Sequence, residues 1–262
     1  MPTVLAQEGF QAPGTEEFEW PAIWTIHLGG FELGINRSAL LMVVAMLCVL
    51  AVFLLAFRRP AVVPRGFQNL VEVGVEFVRR NIILEVIGRE GLRFFPYLTT
   101  LFFFIFFGNV FGIIPVFGFP VTSRIALPAF LALTAWALFN WVGIREQGLR
   151  GYLRSTLFPP GIPWPLYVLI TPIEFVSTIL VRPVTLSVRL FANMVAGHLI
   201  LLVFFLGTAY LAGQLGTAVF AVPAFVMAVA LVGFELLVAL LQAYIFTILT
   251  AVYLAGALEP EH

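Results

Sequence analysis

The chain has 262 residues, 61% hydrophobic and only 11% charged, with no net charge and a mean hydropathy of +1.04. A soluble domain cannot bury most of such a surface, so an integral membrane protein forming one domain over 1–262 is expected. A neutral chain argues against a nucleic-acid partner. The single cysteine, Cys48, excludes a disulfide framework.

The N-terminal segment, 1–37, carries Glu8, Glu16, Glu17 and Glu19 and lacks the basic start of a secretory signal. A transmembrane helix is expected over 38–57, an apolar run from Ala39 to Phe57 that Arg58-Arg59-Pro60 stops. The segment 66–90 reads differently. Phe67, Leu70, Val71, Val78 and Ile82 recur at helical spacing, with Glu72, Glu76, Arg79 and Arg80 gathered opposite. It is too charged to span, and an amphipathic helix on the membrane surface is expected.

Two transmembrane helices are expected over 97–144, one from Tyr97 to Val116 and one from Ala126 to Ile144, with a short turn at Pro120 and Arg124. A basic loop with Arg145, Arg150 and Arg154 and the proline-rich FPPGIPWP follow. The last two apolar runs, within 165–257, extend from Leu166 to Leu206 and from Val219 to Ala257. The first is about 60 Å long as a helix, whereas the hydrocarbon core is about 30 Å thick. Each run is therefore two short spans or one strongly tilted helix. Gly213 and Gly216 mark a turn between them. No internal repeat is visible, against the repeat-built secondary transporters.

Arginine placement sets an orientation. With the acidic N-terminus outside, Arg58, Arg59, Arg65, Arg79, Arg80, Arg89, Arg93, Arg145, Arg150 and Arg154 fall on the inner side, as does the EPEH tail. Only Arg37 and Arg124 fall outside, while Arg182 and Arg189 lie within an apolar run. Arg182 suits snorkelling to a headgroup. Arg189 does not, because a long apolar stretch separates it from the outer face. A permanently charged guanidinium there costs several kcal/mol on order-of-magnitude scales, which points to function.

If the last two runs pair antiparallel about the glycine turn, Arg189 stands level with Gln242 and His198 with Glu235. Glu235 and Gln242 share a helix face. Arg189 and His198 stand about 180° apart on an ideal helix, so Arg189 is expected to face a partner protein while His198 faces the second helix. His198 and Glu235 lie outward of Arg189; Glu174, Ser177 and Thr178 lie inward. Two polar tracks separated by a fixed cation form two aqueous half-channels, with His and Glu as proton carriers.

At these residues the sequence resembles subunit a of the F-type ATP synthase, the stator half of its proton-driven motor. RPVTLSVRLFANMVAGH carries the most specific match, with Arg189, Asn193 and His198. LLQAYIFTILTAVYL with Gln242 is a second, and GNVFGIIP, with Asn109, Gly112 and Pro115, a third. The resemblance implies that Arg189 faces a rotating ring of c subunits, each with one membrane-embedded carboxylate. It further implies peripheral-stalk b subunits as partners, lipid around the chain, and a long tilted helical hairpin for the last two runs.

The expectation is therefore an all-α integral membrane protein with transmembrane helices, one amphipathic surface helix and that hairpin. It would translocate protons through Arg189, Asn193, His198, Glu235, Gln242, Glu174, Ser177 and Thr178 without catalysing a reaction, and with no cofactor or metal. Glu174 stands one residue farther from Pro183 than the resemblance implies. A bacterial-type plasma membrane is the expected location. The rival readings are a stand-alone secondary transporter binding a small anion at Arg189 and an intramembrane enzyme; for the latter, no paired aspartates, HExxH or Ser–His arrangement stands out.

Overall fold

The structure, a computed structural model, describes residues 13–14, 24–28, 31–35, 37–114, 121–158, 163–214 and 216–258. The acidic residues Glu8, Glu16, Glu17 and Glu19, the prolines Pro115 and Pro120, the centre of FPPGIPWP and the EPEH tail lie outside the described residues.

The membrane body is entirely helical. Ahead of it, strands β1 (Trp24–Leu28) and β2 (Phe31–Ile35) pair antiparallel, Trp24 opposite Ile35 and Leu28 opposite Phe31. Among the described residues, five helical stretches are long and apolar enough to cross a membrane. The chain is thus a multi-pass membrane protein. Helix α1 (Arg37–Ala56) covers the first expected span.

Helix α2 (Phe67–Val78) continues as a π-helical turn over Arg79–Leu84. Its face Val71, Val78, Ile82 and Ile83 is fully buried, while Phe67, Leu70 and Val73 are exposed. The amphipathic helix therefore packs one apolar strip onto α1, α3 and α7 and leaves a second uncovered. Arg79 and Arg80 both bond Glu76 on the polar side. Those two guanidiniums hold the Glu76 carboxyl below its ordinary pKa.

Helix α3 (Phe95–Ile113) is apolar all round, the pattern of a helix with no aqueous face. Leu98, Leu101, Phe102 and Ile105 form the centre of the core with Phe139, Phe246 and Leu254. Helix α4 (Ala126–Leu157) departs from expectation. The arginine-bearing stretch after Ile144 is helical, not a loop, and turns at Gly148, which has φ 73° and ψ 158°. That backbone region is open essentially to glycine alone. The turn folds the last helical piece back, so that the Tyr152 ring lies against Gly143; a Cβ there would stand 2.3 Å from a ring carbon.

Both long terminal runs are continuous. The first comprises α5 (Tyr167–Val176), a π-helical turn over Ser177–Val181, and α6 (Arg182–Ala212), preceded by a single 3-10 turn. The π turn lies between Glu174 and Pro183, and π geometry takes up one extra residue per turn there. The second run is α7 (Ala218–Leu258). At about 1.5 Å per residue α7 is about 60 Å long. Each run is one helix, not two spans. The chain turns between them at Gly213, whose N–H bonds the carbonyls of Ala209 and Tyr210.

Candidate functional site

The site forms where α6 packs on α7. On α6, Leu190, Met194, His198 and Leu201 make one buried stripe. On α7, Ala221, Ala228, Glu235 and Gln242 recur every seven residues along the buried seam. Small residues let two helix backbones approach closely, which compensates for the missing hydrophobic drive inside lipid. Gly197 marks a close approach: a Cβ on it would lie 3.1 Å from Glu235 Oε1. Glu235 is only 5% exposed, His198 7% and Gln242 2%.

The two helices run antiparallel, because Asn193 meets Gln242 and Gly197 meets Glu235. Asn193 Nδ2 donates to Gln242 Oε1 at 2.7 Å. Asn193, not Arg189, is therefore the residue hydrogen-bonded to Gln242. Glu235 lies against Gly197, the neighbour of His198, and neither of its carboxylate oxygens is hydrogen-bonded by a described residue. His198 and Glu235 are thus both buried at one level of the helix pair without a direct hydrogen bond between them. Between the helices a groove of about 350 Å³ opens to the surface, lined among others by Asn193, Gly197, Leu201, Leu231, Glu235 and Gln242.

Arg189 is exposed on α6 beside Val188, one turn before Asn193. Among the described residues, no hydrogen bond or ion pair is made to it. Thr185 and Asn193, one turn to either side, are polar but uncharged, so among the described residues this permanent cation has no counter-charge. Arg182 differs. Its guanidinium lies over the Tyr253 ring of α7, 5.1 Å from the centroid, so it is held by an aromatic face within the protein.

The remaining expected residues lie further along the first run. Glu174 and Ser177 are half-buried and Thr178 is buried, at the π turn. Beyond them, the end of α4, the start of α5 and Leu258 of α7 frame an open cleft of about 1690 Å³ with Glu90, Glu146, Arg150 and Arg154 on its walls. Arg93 pairs with Glu146 across 2.7 Å. The arginine-rich stretches 89–93 and 145–154 are therefore gathered at one end of the bundle.

Several participating residues were not anticipated from the sequence. Trp136 Nε1 donates to the Thr178 carbonyl at 3.2 Å, Asn140 Nδ2 to the Trp136 carbonyl at 2.7 Å, and Tyr152 Oη to Asn140 Oδ1 at 3.0 Å. Polar side chains at i+4 spacing inside α4 were the available signal. Asn109, quoted for its motif, accepts a bond from Thr122 Oγ1 at 2.6 Å, fully buried beside the end of α3.

The described residues thus form a bundle of long membrane helices with buried polar groups at one helix pair and an exposed cation to which none of them supplies a partner. The comparison with known proteins is more specific. The family model described as ATP synthase A chain matches residues 39–255. The "ATP synthase subunit a" of Frankia alni is 46% identical over 261 residues, covering 99% of this chain and 90% of the relative. That of Rhodococcus erythropolis is 44% identical over 262 residues, 99% of this chain and 94% of the relative. That of Granulibacter bethesdensis is 45% identical over 234 residues, 88% of this chain and 91% of the relative. The chain belongs to the ATP synthase A-chain family.

Proposed function

We propose that the chain is the stator of the proton path in the membrane sector of an F-type ATP synthase. It carries protons between two half-channels and a ring of c subunits, coupling proton flow to rotation and ATP synthesis, and makes or breaks no covalent bond itself. The observation that carries this reading is Arg189, a permanent cation exposed within a long apolar run with no anion supplied by the described residues. Its counter-charge then comes from outside the chain, from a membrane-embedded carboxylate on each ring subunit.

The buried polar groups divide about this cation. Glu235 and His198 lie toward the glycine turn, and together with the groove beside Asn193 and Gln242 they form the outer half-channel. Glu174, Ser177 and Thr178 lie toward the charged cleft and form the inner one. Protons enter past Glu235 and His198 and neutralise a ring carboxylate, which then turns through lipid uncharged. On reaching Arg189 a carboxylate is favoured in its ionised form and releases its proton inward. A dry, fixed ion pair would stall the ring, so water at Arg189 keeps the contact weak.

The clustered arginines support an N-terminus outside and a C-terminus inside a bacterial plasma membrane. With helices of about 60–70 Å against a core of about 30 Å, α5–α6 and α7 lie strongly tilted. Peripheral-stalk b subunits and lipid cover the faces that the ring leaves free.

Purification tests the reading against a stand-alone transporter of small anions. The chain is expected to co-purify with a ring of small carboxylate-bearing subunits and a catalytic head, and to move no anion alone. A lone chain that transports a small anion in vesicles would overturn the proposal.

A further inference from the structure

We propose that Trp136 of α4 is a positioning residue that locks the π turn at Ser177–Val181 and thereby sets the rotation of Glu174 relative to Arg189. The argument starts from one carbonyl. In an α-helix the Thr178 carbonyl would accept the Arg182 N–H, four residues on. Here the Arg182 N–H bonds the Ser177 carbonyl instead, five residues back. The donor at the π spacing from Thr178 is position 183, and Pro183 has no N–H. The turn and the proline together strip the Thr178 carbonyl of its α and π donors within the helix.

Inside a membrane such a carbonyl must find another partner. Thr178 is 2% exposed, so bulk water does not reach it. The indole N–H of Trp136 reaches it at 3.2 Å. Asn140 Nδ2 in turn bonds the Trp136 carbonyl, and Tyr152 Oη bonds Asn140. The Gly148 turn that carries Tyr152 thus supports the same corner.

The consequence is rotational. One residue of helix is about 100° of rotation. Relaxing the π turn to α geometry would displace Glu174 and Ser177 by about that angle relative to Arg189, or shift α6 along α7. A turn with an unbonded buried carbonyl has reason to relax; Trp136 removes it. The inference rests on the proton path proposed above, in which Glu174 and Ser177 face the inner half-channel.

The test uses the whole rotary complex in vesicles with three chains: Trp136→Phe, which keeps the ring and removes the donor; Pro183→Ala, which returns an N–H at the π spacing; and the two combined. Trp136→Phe is expected to lower proton translocation about tenfold, the scale set by an unsatisfied buried carbonyl. Pro183→Ala alone is expected to stay near the unmodified level, and the double variant to recover most of the loss. Normal translocation by Trp136→Phe overturns the proposal, as does a loss that Pro183→Ala leaves unrepaired. If Trp136→Phe does not assemble, assembly regained in the double variant supports the lock and continued failure overturns it. Thermal stability of the assembled complexes reads the bond without any proton assay. Stability that falls and recovers in step while translocation never changes would leave Trp136 no positioning role. Arg189→Ala, assayed alongside, reports on the proton path itself.

Discussion

Asn193 on α6 donates a 2.7 Å hydrogen bond to the side-chain carbonyl of Gln242 on α7, one helical turn from the exposed Arg189. This bond fixes the level at which the two long helices meet. It also orients the Gln242 amide, whose Nε2 is buried and receives no partner from the described residues. Replacing Asn193 and Gln242 by Leu, singly and together, should reveal a coupling of about 0.6 kcal/mol, the scale of hydrogen bonds between membrane helices. Thermal unfolding of the assembled complex across the double-mutant cycle measures it. A coupling of zero would mean the two side chains do not hold the helices in register.

The antiparallel pairing makes a geometric prediction. Leu201 and Leu231 line the same groove. Cysteines at Leu201 and Leu231 should cross-link through a short bridging reagent, while Leu201→Cys with Gln242→Cys, displaced by about three helical turns, should not. The opposite pattern would require a different register.

Gly197 and Gly143 predict graded steric effects. A methyl at Gly197 meets Glu235 Oε1 at 3.1 Å, which a few tenths of an ångström relieve. Gly197→Ala should assemble and translocate with a moderate loss, and Gly197→Val should fail. At Gly143 the clash with Tyr152 is 2.3 Å, so Gly143→Ala should destabilise the turn of α4 by about 1–3 kcal/mol. Adding Tyr152→Ala should recover part of that loss in thermal unfolding. Equal behaviour of the two glycine-to-alanine variants would contradict the geometry.

His198 and Glu235 predict an epistatic pair. Each single replacement should slow proton entry from the outer side and alter its pH profile, with little change on the inner side. His198→Glu combined with Glu235→His should restore more activity than either single change. Strictly additive losses in vesicle translocation would mean that the two act independently.

Much of this arrangement was legible because helical periodicity is rigid. Nine residues place Arg189 and His198 on opposite faces, and the structure has one exposed and the other buried. Seven residues keep Glu235 and Gln242 on one seam, and both are buried. Which side chain would meet Gln242 was not legible. Arg189 and Asn193 are both near its level, and the choice depends on side-chain direction. The helix after Ile144 was hidden by its own composition, since arginine and glycine read as loop, whereas Gly148 only reverses the helix. The hairpin of β1 and β2 gave too short a pattern to stand out beside long apolar runs. The π turn was hidden because it depends on which donor each carbonyl finds.

The central claim is that the charge of Arg189 separates two proton tracks and meets the ring carboxylate. The most direct measurement is proton-driven ATP synthesis by an assembled Arg189→Ala complex in sealed vesicles. The account predicts that synthesis is abolished while the complex remains intact and passive proton leak rises, because the barrier between the tracks is gone. Normal ATP synthesis by that assembled variant would contradict it.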